Sequence, residues 1–321
     1  AFPETPPGET VPAPASESGE TPNVYFVILD EYAPFDMAEK HCGYRPAEFE
    51  AFLKEHRFNV SGSSRNPSFY TSEVLAGLIG MEPPEKSTRY TLTEDRRLDK
   101  LLDCPGQEGV VRESRLMEFF KARGYVVCVA SMLGDIFHMP TPLRGDVRFQ
   151  LPVDQRGISL ENTVAGAVLG RSAFEPILHL LPVDAHFYNR MVEGIFRWIE
   201  ESSQMKSPRF LWAHVTCPHA PYLFRSDGSW RAESGGGDPA HYLEQYQYVS
   251  WRIAKVLARV VAEDPGGVVL LMSDHSLRRS FSLPVDDMAR IFNAVYFRGE
   301  PLDVEGLSGL DAEWLVLNRL F

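Results

Sequence analysis

The chain has 321 residues, 44% of them apolar, and its 32 basic and 44 acidic side chains leave a net charge of −12. This is the composition of a folded protein with a sizeable core, long enough for one large α/β domain or two ordinary ones. The sign of the charge is wrong for a protein that binds phosphate backbones or depends on anionic lipid, which excludes nucleic acid as a partner.

Residues 1–22, "AFPETPPGETVPAPASESGETP", are rich in Pro, Glu, Ser and Thr and nearly free of large apolar side chains, so they read as a disordered tether. No run approaches the roughly 18 apolar residues of a membrane helix, and no basic segment leads into an apolar one. A tether at the start of a chain that does not begin with Met points to an upstream signal or membrane anchor that was removed, although expression design gives the same look. Beyond it, "NVYFVILD" (23–30) predicts a buried strand, "PAEFEAFLKEH" (46–56) a helix and "SEVLAGLIGM" (72–81) another. A Gly-terminated helix (113–124) leads into the strand "YVVCVAS", and a helix near 188–203 leads into the strand "RFLWAHV" (209–215). A long helix from about 240 to 263 precedes the strand "GVVLLMS" (267–273), and "NAVYF" (293–297) is a last strand. This alternation predicts an α/β fold over residues 23–321, a mostly parallel central sheet with helices on both faces.

Cys42, Cys104, Cys128 and Cys217 form no C-x-x-C pair, which gives little support to a structural zinc site. Cys128 sits in a strand pattern as a core residue, while Cys42 and Cys104 lie in polar contexts where a disulfide is possible in an oxidising compartment.

In open α/β sheets ligands bind beyond the carboxyl ends of the strands. Here the first strand ends in Asp30 and Glu31, "RFLWAHV" ends at His214 with His219 close behind, and "GVVLLMS" ends in Asp274 and His275. Any one of these reads equally well as a turn or cap. Together they favour a divalent metal site built from Asp30, Asp274 and His275. Such a site calls for a nucleophile, and "NPSFYTSEVLAGLIGM" offers Thr71, with Ser72 beside it, at the start of a predicted helix whose dipole favours an alkoxide. The competing reading makes Thr71 an N-cap.

The motifs "NVYFVILDEY", "YTSEVLAGLIGM", "LWAHVTCPHAPYLF", "LLMSDHS" and "NAVYFRG", in this order, resemble the sulfatase-like branch of the alkaline phosphatase superfamily. The resemblance is nearest to membrane-anchored bacterial proteins related to lipoteichoic acid synthase and to phosphoglycerol and phosphoethanolamine transferases. It spans nearly all of residues 23–321, including the ending "LDAEWLVLNRLF". It implies that Asp30 is the first metal ligand, that Thr71 is a nucleophile which also touches the metal, and that Asp274 and His275 complete the shell. His219 of "PHAPY" matches a His that contacts the substrate phosphate or the leaving group, and His214 occupies a position often His in relatives. Two departures stand out: Ser276 follows the Asp-His pair where Gly is usual, and Glu31 replaces the commoner Gly after Asp30, which makes it a further candidate ligand or a solvent-facing residue. No C/S-x-P-x-R motif of formylglycine sulfatases occurs, which demotes sulfate ester hydrolysis.

Arg65, Arg278 and Arg279 flank the motifs and suit the non-reacting oxygens of a phosphate, or plain surface solvation. Tyr70, Trp212 and Tyr222 lie near them and suit contact with a lipid or glycan, or plain packing. Residues from about 138 to 187 carry no motif that can be read and are assigned to the acceptor side. The expected protein is a monomeric, metal-dependent transferase or hydrolase on the extracytoplasmic face of a bacterial membrane. It would use one divalent ion (Mn, Zn or Mg), with a second allowed. Its partners would be a phospholipid-type donor and a glycan or other hydroxyl acceptor, and it would reach the membrane through the missing upstream segment. The alternatives are a phosphodiesterase or sulfuric ester hydrolase of the same fold, and an envelope binding module that has lost the chemistry.

Overall fold

A computed structural model describes residues 21–81, 115–130, 146–148, 187–231, 237–278 and 281–321. The predicted tether up to residue 20, Cys104, Arg279 and nearly all of the unread stretch 138–187 lie outside the described residues. Among the described residues, seven strands form one sheet: β1 (Val24–Leu29), β2 (Asn59–Val60), β3 (Val126–Ala130), β4 (Val147–Arg148), β5 (Arg209–Val215), β6 (Val268–Ser273) and β7 (Asn293–Phe297). The helices are α1 (Phe35–Cys42), α2 (Ala47–Glu55), α3 (Thr71–Gly80), α4 (Arg115–Lys121), α5 (Phe187–Glu201), α6 (Pro239–Glu263), α7 (Val285–Met288) and α8 (Gly309–Leu320).

The strand order is β2-β7-β6-β1-β5-β3-β4. β6, β1, β5, β3 and β4 run parallel, while β7 is antiparallel to β6 and β2 is antiparallel to β7. The predicted last strand is therefore correctly placed as a strand, and it is the one that breaks the parallel pattern.

β1 is a continuous apolar run, and β5 and β6 are apolar apart from Arg209, His214 and Ser273 at their ends, because both of their faces are covered. Side chains alternate between the two faces. Tyr25, Val27 and Leu29 of β1, with Leu211 and Ala213 of β5 and Val269 and Leu271 of β6, enter the core covered by α1, α2, α5 and α6. Val24, Phe26 and Ile28, with Phe210, Trp212, Leu270 and Met272, enter the opposite core under α3, α4 and α8. Ile28 of β1 stands in register with His214 on one side and Met272 on the other. Even-numbered positions of all three strands thus share the α3 face. Asp30, His214 and Asp274 have that parity at the carboxyl end of three adjacent strands.

The local signals are conventional. Asp238 caps α6 by accepting from the Ala240 N–H at 2.9 Å, ahead of Pro239 at the first helical position. Ser308 and Asp311 form a capping box on α8. Of the cysteines, Cys42, Cys128 and Cys217 are free thiols. No described helix is long and apolar enough to cross a membrane.

Candidate metal and nucleophile site

At the carboxyl edge of β6-β1-β5, the side chains of Asp30, Glu31, His214, Asp274 and His275 are all buried, as is Thr71. Burying three carboxylates without countercharge costs on the order of several kcal/mol for each ion. The local bonds show which lone pairs the protein itself uses. Asp274 spends Oδ1 on the backbone N–H groups of Glu31 (3.1 Å) and His275 (2.9 Å), while its Oδ2 is buried with no hydrogen-bond partner. Asp30 Oδ1 likewise has none, nor does either ring nitrogen of His214.

His275 is fixed by its own turn. Its Nδ1 lies 2.7 Å from the Ser276 carbonyl, so Nδ1–H donates and the Nε2 lone pair faces inward. That Nε2 stands 3.5 Å from Asp30 Oδ1, 3.4 Å from Asp274 Oδ2 and 3.4 Å from Thr71 Oγ1. Ligands held tetrahedrally at about 2.0–2.1 Å from an ion stand about 3.3–3.4 Å apart. A nitrogen lone pair set beside carboxylate oxygens that have no hydrogen-bond donor suits a cation among them, so these residues fit a divalent metal. On the far side of Asp30, Oδ2 lies 3.5 Å from His214 Nε2, and Asp30, His214 and Asp274 offer ligand atoms that all lie within 4.8 Å of one another. The two overlapping groups share both aspartates. His275 is the better-defined partner, because its tautomer is set and its distances are short to both acids; His214 extends the ligand field toward β5. Burial pushes the Asp30 carboxyl upward, but the imidazoles of His219, His214 and His275 outweigh that and hold it below the ordinary carboxylate range.

Thr71 is the first residue of α3, and the N-cap is Tyr70, whose side chain makes no capping bond. Thr71 is therefore not the cap its residue type allows, and its hydroxyl is directed to His275 instead. It stands at the positive end of a ten-residue helix. Ser68 helps shape this entry by accepting from the Tyr70 N–H at 3.1 Å and donating to Glu73 at 2.5 Å. Asn66, which sequence reasoning overlooked, donates to the Asp274 carbonyl at 2.7 Å and accepts from the Gly309 N–H at 2.8 Å. It ties the acid to the start of α8.

Glu31 has φ 62°, the left-handed region that favours glycine. The Tyr242 hydroxyl donates to its carbonyl at 2.9 Å, and its side chain accepts from the Arg278 N–H at 2.8 Å. Its other oxygen lies 3.8 Å from His219 Nε2. Glu31 thus faces the site's interior rather than solvent. Ser276 has no such backbone constraint: its φ is not positive, and its carbonyl serves His275.

Arg278 lies at the site, donating to the Phe69 carbonyl at 3.0 Å, 3.5 Å from His219 Nε2 and over the Tyr70 ring at 5.9 Å. Arg65 is half-exposed and paired with Asp286 at 3.3 Å, outside this cluster of contacts. Trp212 and Tyr222 are packed in the two cores and offer no surface to a ligand.

No family model matches the chain, and no curated protein matches it by sequence. Solved structures do share its fold. The C-terminal periplasmic domain of EcEptC from Escherichia coli, in complex with Zn, superposes with a TM-score of 0.52 at 14% identity, over 90% of this chain and 77% of that one. The lipoteichoic acid synthase LtaP from Listeria monocytogenes gives 0.55 at 12% identity over 94% and 72%. A protein from Bacteroides fragilis named yidJ, described as a sulfatase by proposal, gives 0.57 at 13% over 96% and 75%. At such identities the likeness establishes the fold alone, an α/β fold shared with these structures.

Proposed function

We propose that this chain is a metal-dependent enzyme that transfers a phosphoryl-linked group, such as phosphoglycerol or phosphoethanolamine, through a covalent intermediate on Thr71. The observation that carries the reading is the Thr71 hydroxyl, 3.4 Å from an imidazole lone pair that also faces two carboxylate oxygens without hydrogen-bond partners. Asp30, Asp274 and His275, with Thr71, would hold one divalent ion, and His214 lies where it would serve a second ion or an enlarged shell. When bound, the ion would favour the Thr71 alkoxide and neutralise charge on the phosphoryl oxygens.

Thr71 Oγ attacks the phosphorus of the donor, its O–P bond forming as the bond to the departing alcohol breaks, and the proton given up by the Thr71 hydroxyl leaves on that alcohol. Arg278, beside Tyr70 and His219, binds a non-reacting phosphoryl oxygen. His219 donates its Nδ1–H to the Ala220 carbonyl at 2.7 Å, which leaves the Nε2 lone pair, 3.5 Å from the Arg278 guanidinium, to take the proton of the incoming hydroxyl. That hydroxyl attacks phosphorus as the bond from Thr71 Oγ to phosphorus breaks, and the proton taken by His219 is returned to Thr71 Oγ. A glycan hydroxyl makes the protein a transferase; water makes it a phosphodiesterase. The neighbours named as a lipoteichoic acid synthase and as a Zn-bound periplasmic domain support a phospholipid-type donor and an extracytoplasmic setting; we read the chain as a monomer held at a bacterial membrane.

Mass spectrometry after incubation with vesicles of phosphatidylglycerol or phosphatidylethanolamine tests this. A head-group adduct on Thr71 is expected. An adduct on Ser72, or none with either lipid in the metal-loaded protein, sinks the assignment.

A further inference from the structure

His219 rides on a segment without regular structure, between the end of β5 and the short bridge that joins Phe224 to Trp230. Proton transfer tolerates little misplacement of the ring. The segment is held at its Asp30 end by the His219 N–H, which donates to the Asp30 carbonyl at 3.1 Å. The rest of its hold comes from the helix pair on the other side.

Gln245 of α6 is fully buried and has its whole amide turned to this segment. Its Oε1 accepts from the N–H groups of Leu223 (2.9 Å) and Phe224 (3.0 Å). Its Nε2 lies 3.1 Å from the Pro218 carbonyl, 3.0 Å from that of His219 and 3.3 Å from that of Pro221, so two N–H donors are shared among three acceptors. From α5, the Tyr188 hydroxyl adds bonds to the Thr216 carbonyl and, at 3.3 Å, to the His219 carbonyl. The Ala220 carbonyl, which accepts from His219 Nδ1, lies between two carbonyls that Gln245 holds.

We infer that Gln245 is the positioning residue for His219: by fixing the peptide groups on both sides of Ala220 it keeps the proton on Nδ1 and the Nε2 lone pair beside Arg278 and Glu31. The inference rests on the reading of His219 as the acceptor-side base. A buried glutamine could otherwise be a packing residue that satisfies backbone groups wherever it finds them; what separates the two roles is the tautomer of the ring, which packing alone does not set.

The test uses Gln245→Glu, of nearly the same shape, which keeps the acceptor half and loses the donor half, and Gln245→Leu, which loses both. Histidine labelled with 15N gives the His219 tautomer by long-range proton–nitrogen correlation, with assignment by His219→Asn. The wild type is expected to show the Nδ1–H form, and both variants a mixture. With an aryl phosphodiester, kcat is expected to fall tenfold to a hundredfold with KM nearly unchanged and bound metal retained, the scale of a misplaced catalytic group. If Gln245→Leu fails to fold, Gln245→Glu carries the test alone. Unchanged His219 ring signals in the folded variants overturn the inference, whatever the rate does. A wild type without turnover would instead overturn the proposed function, and the ring signals would still decide the role of Gln245.

Discussion

The two ends of the same three strands are built on opposite terms. At the amino end, Asp264 accepts from Asn23 (2.8 Å) and Tyr25 (2.8 Å) and lies 3.6 Å from buried Arg209, whose guanidinium also reaches the Tyr25 hydroxyl and the Met205 carbonyl. The charge placed there is balanced by the protein's own cation. At the carboxyl end, three buried carboxylates face two buried imidazoles, and lone pairs on Asp30, Asp274 and His214 have no hydrogen-bond partner. The first arrangement serves folding; the second leaves lone pairs open to a cation.

That contrast can be broken by substitution. The largest expected effect is on chemistry: Thr71→Ala should lower phosphodiester turnover on the order of a thousandfold or more, with the melting temperature of the apo protein nearly unchanged, as measured by steady-state kinetics and thermal unfolding. Equal activity in the variant would remove Thr71 from the mechanism. Asp274→Ala should abolish stoichiometric metal binding, and divalent ion added to apo protein should raise the melting temperature of the wild type but not of this variant. A metal-independent melting temperature in the wild type would break the comparison at its carboxyl end.

At the other end the sign reverses. Arg209→Met leaves Asp264 without its buried cation and should cost about 3 kcal/mol in urea unfolding while the folded variant keeps its metal and its turnover. Loss of metal in that variant would show that the two ends are not independent.

The smallest effect concerns a group outside both. Glu313 of α8 is buried with neither carboxyl oxygen bonded, and burial pushes its pKa well above the usual carboxylate value. The folded state therefore keeps a proton that the unfolded chain releases above its ordinary pKa. Its full contribution is present below that pKa, and stability is lost as pH rises from there toward the raised folded value. Glu313→Gln should remove this slope, so that its urea midpoint, relative to wild type, is higher at pH 8 than at pH 5. A constant offset between the two pH values would refute the assignment.

Much of the site was legible because strands announce their ends. The apolar runs stop at Asp30 and Asp274, and α/β architecture sends such endings to one edge. Thr71 was legible as a residue at a helix start, yet setting aside the cap reading needed the position of Tyr70 and the direction of the hydroxyl. β2 and β4, two residues each, are too short to carry a period, and α1 was missed beside the motif that precedes it. The capping box at Ser308 and Asp311 was a readable signal for α8.

What the sequence determined by itself was local: which stretches are buried strands, where they end, and which residue types stand there, since side-chain periodicity and the apolar run are properties of neighbouring residues. What only the tertiary structure decided was adjacency. The order β6-β1-β5 brings Asp30 beside Asp274 across 244 positions of the numbering, and strand parity brings His214 into their group. It also places Gln245 against the carbonyls around His219 and leaves Arg65 with Asp286. None of these contacts has a period or a motif, because each is set by how distant elements pack, and a glutamine on a helix looks the same in sequence whether it faces water or holds a histidine in place.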